Sequence, residues 1–94
     1  MTSKIDLLNE YIEQGKVAEV HQLLLEIKSD IEDGDVDLIE YIATPANITS
    51  LHNKLCEELG ANRRLLQLRA RVSNGAHRSA LFVQAMINAV GYLQ

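Results

Sequence analysis

At 94 residues and 10.5 kDa the chain holds a single domain, residues 1–94, because a second core needs roughly 50 residues of its own. Hydrophobic residues at 47% and charged residues at 23% exclude disorder over most of the length. One cysteine, Cys56, excludes an internal disulfide and suits a reducing, cytoplasmic setting. No basic-then-apolar opening marks a signal peptide, and no apolar run nears the roughly 18 residues of a membrane span, so membrane insertion is not expected.

The net charge of −4 is unevenly divided. All 13 acids lie between Asp6 and Glu58, against only Lys4, Lys16, Lys28 and Lys54, which leaves −9 before residue 62. The five remaining bases are Arg63, Arg64, Arg69, Arg71 and Arg78, so residues 63–94 carry +5. Such a division suits either two halves that fold together and pair their charges across the seam, or a surface for an anionic partner. No aromatic side chains interleave with the arginines to stack bases, which speaks against nucleic acid. Pairing across the seam is the expectation.

In chain order, Thr2 or Ser3 is placed to cap a first helix carrying Ile5, Leu8 and Ile12, with Gly15 at its end or kink. Val17, Val20, Leu24, Ile27 and Ile31 then step by 3 and 4, the narrow stripe of a helix lying along another. Asp33-Gly34-Asp35 interrupts. Asp35 can cap a new helix at Val36, or one long helix kinks there; Val36, Ile39 and Ala43 continue the spacing, with Leu38 and Ile42 beside them. Thr44-Pro45 is a second break, Thr44 suited to the cap and Pro45 to the first helical position.

From Pro45 to Asn74-Gly75 no strong breaker occurs. Ile48, Leu51, Leu55, Leu59, Asn62, Leu66 and Ala70 recur by 3 or 4, and a second row of Leu65, Leu68, Val72 and Ala76 takes over as the first rotates away. The spacing predicts a nearly straight helix of about seven turns. Asn62 on this stripe either sets register between helices or rotates out to solvent. Asn74-Gly75 breaks the helix or sits tolerated within it.

The last helix, about Ala76 to Tyr92, carries two apolar rows. Ala80, Val83, Ile87 and Val90 form one; Phe82, Met86, Ala89 and Leu93 form the other, and no charge follows Arg78. Burial on two sides is required, in the middle of a bundle or at an interface. With the first row assigned to the chain's own core, the second is surplus surface. Phe82, Met86, Ala89 and Leu93 are therefore the candidate partner-binding residues, covered by a second copy in a homodimer or by a client helix.

Little else suggests chemistry. Aligning Gly34 with the glycine of a calcium loop puts Ser29 and Ile31 at the first and third ligand positions, where carboxylates belong. His52 and Cys56 share a helix face, but zinc needs three or four ligands. No phosphate-binding glycine loop, nucleophile elbow or His/Asp/Ser arrangement is present, so neither an enzyme nor a metal or cofactor site is expected.

The phrase Gly34-Asp35-Val36-Asp37-Leu38-Ile39-Glu40, then Asn62-Arg63-Arg64-Leu65-Leu66, then Asn74-Gly75 and an apolar helix, resembles the FlgN-like flagellar export chaperones of type III secretion. That resemblance implies a cytoplasmic, coiled-coil-forming chaperone that shields the helical end of an export substrate. The phrase Ile87-Asn88-Ala89-Val90-Gly91-Tyr92-Leu93 is similar to the end of TraM-like quorum-sensing anti-activators, which implies a transcription regulator as partner instead. A small nucleic-acid-binding helical protein is the third alternative. The reading is an all-α antiparallel helical hairpin or small helical bundle with long amphipathic helices, binding another protein.

Overall fold

The computed structural model describes residues 3–67 and 75–94. Six helices account for most of them: α1 (Lys4–Glu13), α2 (Val17–Glu32), α3 (Val36–Ala43), α4 (Pro45–Leu59), the single turn α5 (Arg63–Leu66) and α6 (Gly75–Gly91). No strand occurs among the described residues. The all-α class is as expected. With extents of 33 × 31 × 20 Å the molecule is a small bundle and not a long hairpin.

The local signals act where the sequence places them. Ser3 Oγ accepts from the Asp6 amide at the start of α1. Asp35 Oδ1 accepts from the Leu38 amide at the start of α3, so the chain begins a new helix there and does not kink. Gly34, at φ +93°, closes α2: its amide donates to the Ile31 carbonyl and the Asp35 amide to that of Asp30, a paired pattern that satisfies the helix's last carbonyls. Thr44 precedes Pro45 in an extended conformation, yet its hydroxyl looks backward, donating to the Glu40 carbonyl at 2.9 Å.

The long helix expected after Pro45 is not formed. α4 ends at Leu59, where Gly60 takes the left-handed conformation (φ +75°) and its amide donates to Cys56 O. Gly60 has no side chain to oppose that turn, which ends the helix despite the continuing apolar spacing. Asn62 is exposed and caps α5, its Oδ1 accepting from the Arg64 amide at 2.9 Å; it does not set register in a seam. Leu68, Arg69, Ala70, Arg71, Val72 and Asn74, which enter the expected stripes, charge division and turn, lie outside the described residues.

α6 is the middle of the bundle. It packs mainly against α2 and α3, with α5 against it as well, while α1 pairs with α2 and α4. α2 and α6 run antiparallel: Lys28 Nζ donates to Gln84 Oε1 at one end, and His21 lies beside Gly91 at the other. Ser79, fully buried on α6, shares its one hydroxyl proton between the carbonyls of Gly75 (2.7 Å) and Ile39 (2.8 Å), so that the second contact links α6 to α3. Lys54 ties α4 to α1 through Asn9 and Glu13. The core these contacts enclose is one cluster fed by every helix, from Leu8 and Ile12 through Leu24, Ile27, Ile42 and Leu55 to Val83 and Val90.

Candidate partner-binding surface

Both apolar rows of α6 belong to the chain's own core. Val83 and Val90 have no exposed area, as the sequence reading expects, but neither do Met86 and Ala89 of the row assigned to a partner. Phe82 and Leu93, the outer members of that row, are half-buried and packed against the same cluster. The expectation of surplus surface on Phe82, Met86, Ala89 and Leu93 is therefore corrected. Helices α2, α3 and α5 surround α6 on more than one side, so the chain itself meets the two-sided requirement. The reason for expecting a homodimer on this row goes with it.

Phe82 has a second neighbour. The ring of His52 meets it edge-to-face, with centroids 6.3 Å apart and planes at 83°. His52 Nε2 is buried with no hydrogen-bond partner. Burial, and secondarily the Arg63 guanidinium, hold this imidazole below the usual histidine range, so the neutral form is favoured. Cys56, one turn along α4, is half-buried beside the core. Among the described residues no three His, Cys, Asp or Glu side chains gather as a metal site would require.

The expected pairing across the seam rests in part on Arg69 and Arg71, which lie outside the described residues. Lys4–Asp30, Lys28–Glu32 and Lys54–Glu13 pair within the acidic half. The hydrogen bond to Asp30 holds the Lys4 ammonium above the usual lysine range. Arg63 donates to the neutral side chain of Asn53 at 3.0 Å, and Arg64 is exposed; neither joins an ion pair. The acidic stretch instead lines an open cleft of about 530 Å³ between α1 and the α2–α3 corner, where Asp30 meets Lys4 and Asp35 serves as a helix cap.

What the chain leaves open lies on another face. Three large apolar side chains are exposed among the described residues: Leu25 (41%), Val36 (61%) and Tyr92 (79%). Val36 stands alone at the first turn of α3. Tyr92, just past the end of α6, lines a shallow hollow of about 470 Å³ together with His21, Leu65, Ile87, Asn88 and Gly91. Leu25 follows His21 by four residues and so shares its side of α2. Sequence reasoning passed over this face. Leu25 falls outside the 17–20–24–27–31 stripe and was legible as an exposed leucine; Leu65 was assigned to a helical row that the turn at Gly60 abolishes.

Comparison with family models, with curated proteins and with solved structures finds no match to this chain.

Proposed function

We propose that the chain is a non-enzymatic helical module that holds a segment of another protein in the cytoplasm, as an export chaperone for a flagellar or type III secretion substrate. The observation that carries the interaction reading is the α2/α6 face. A shallow hollow is lined by Tyr92, and Leu25 stands one turn of α2 from its His21; these are two of the three large apolar side chains left exposed among the described residues. Apolar side chains spaced along two neighbouring helices suit the docking of a partner helix better than the turnover of a small molecule. The resemblance of the Gly34–Glu40 and Asn62–Leu66 phrases supplies the export-chaperone form of this reading.

No second copy is needed to cover Met86 and Ala89, which the chain covers itself. No helix among the described residues is long and apolar enough to cross a membrane. The test is affinity capture of the tagged chain from its native cell after mild crosslinking. Recovery of a hook, filament or other type III substrate is the expected result. Recovery of a LuxR-type regulator would move the reading to an anti-activator, and recovery of nucleic acid alone would overturn it.

A further inference from the structure

We infer that His52 is an acid-released cover for Phe82: as a neutral ring it closes the side of Phe82 that faces α4, and as a cation it leaves that seat and lets solvent reach the phenyl ring. This behaviour does not depend on which partner the chain holds. His52, midway along α4, meets Phe82 of α6 edge-to-face, with centroids 6.3 Å apart. Phe82 rests on the core cluster and is half-buried, so the imidazole is part of what covers it. His52 Nε2 is buried and has no hydrogen-bond partner. A neutral imidazole tolerates that position, because one of its two nitrogens carries no proton. In the cation both nitrogens are donors, and Nε2 would be a buried, charged donor with nothing to accept from it. A cation is also drawn to an aromatic face, but that attraction is small beside the cost of a buried charge without a partner.

The groups around the ring offer the cation no relief. On α4 itself Cys56 lies one turn further on, and Glu57 and Glu58 are exposed near the helix end. α1 meets α4 through Lys54, which engages Asn9 and Glu13, and α3 meets it through Asn47, which donates to the Tyr41 carbonyl. From α5 comes Arg63, which donates to Asn53 Oδ1 at 3.0 Å. α6 carries His77 and Arg78, the latter one turn before Phe82 and on the same side of the helix. Among these described groups Arg63 is the charge that bears on the imidazole, and it opposes a second positive charge there. Burial acts in the same direction and more strongly. The seated ring is thus held below the ordinary histidine range, whereas a ring free in solvent titrates near 6.5. As pH falls, the unseated ring takes the proton first. Its share grows by at most about tenfold per pH unit below 6.5, and stops growing once the seated ring is itself protonated. Exposure of Phe82 then follows pH in a range where few other side chains change charge.

Phe82 is the chain's one phenylalanine, so the full chain grown with para-fluorophenylalanine carries a single fluorine. Its accessibility to a soluble paramagnetic agent is read between about pH 7.5 and 5, beside circular dichroism and the carbon resonance of the His52 ring. Accessibility should rise with a midpoint that matches the His52 ring and lies below about 6.5, while helicity stays constant. His52→Gln should be flat across the range, and His52→Leu serves if the glutamine chain does not fold. Arg63→Gln should carry both midpoints upward together, toward the value of a free histidine. An unchanging fluorine in the parent, a rise that persists without His52, midpoints that separate in Arg63→Gln, or helicity lost along with the cover would each overturn the inference.

Discussion

His52 is the residue whose environment most clearly affects how the fold responds to its surroundings. Its Nε2 is buried without a partner and its ring is held against Phe82, so the folded chain prefers it neutral. The sign follows by linkage. A histidine whose folded pKa lies below its unfolded value of about 6.5 is protonated more readily by the unfolded chain, so stability falls as the solution becomes more acid than that. The loss continues until the folded pKa is passed and then stops. Urea midpoints between pH 7.5 and 5.5 should therefore drop for the parent chain and drop less for His52→Gln, by well under the ceiling of about 1.4 kcal/mol per pH unit for one proton. Equal slopes would mean that His52 does not sense pH. Lys4 has the opposite logic: the hydrogen bond to Asp30 raises its pKa, and what that contributes is present below the usual lysine range and lost as pH rises through the folded value.

Among the elements, the joint at Gly60 decides between the helix that spacing suggests and the two pieces observed. In a continuous helix Gly60→Ala would stabilise by about 1 kcal/mol, since alanine is the better helix former. In the left-handed conformation at φ +75° the same change costs about 1–2 kcal/mol, although no atom lies within 4 Å of the added carbon. Thermal melting of G60A should show a fall. The contrast also explains what was legible from residues alone. Val20, Leu24, Ile27 and Ile31 form a strict stripe ended by Gly34 and Asp35, and α2 appears with the expected core face. Beyond Pro45 the stripe runs on through residue 66, because the turn returns Leu66 to the core by a different route. Periodicity records which residues are buried and not whether one helix or two bury them. Glycine at position 60 was the available signal, outweighed by apolar spacing on both sides. The α6 row failed for a related reason. An apolar row carries no mark of whether the helices covering it come from the same chain, and here they do. Met86→Ala should accordingly destabilise by about 2–5 kcal/mol in urea unfolding, the usual cost of emptying a fully buried site. Loss of partner binding with stability unchanged would restore Met86 to a binding surface.

At the scale of the whole molecule, buried Ser79 joins α6 to α3, while Lys4, Lys28 and Lys54 join helices at their edges. Exposed ties of this kind contribute about 0–1 kcal/mol each, so the bundle stands mainly on its apolar cluster. Salt should then shift the melting temperature little, and a large fall in 0.5 M salt (a level at which screening is nearly complete, roughly 4–5 Å) would assign the charges a larger share. The central place of α6 bears on how the molecule is made. Helices α1 to α5 leave the ribosome before the one element against which α2, α3 and α5 pack, at roughly 5–20 residues per second. Until Gly75–Gly91 arrives, the apolar faces of α2, α3 and α5 that pack against it have no cover. The nascent chain thus passes through a state that presents more greasy surface than the finished protein does, and it is then that the protein itself is most in need of a chaperone.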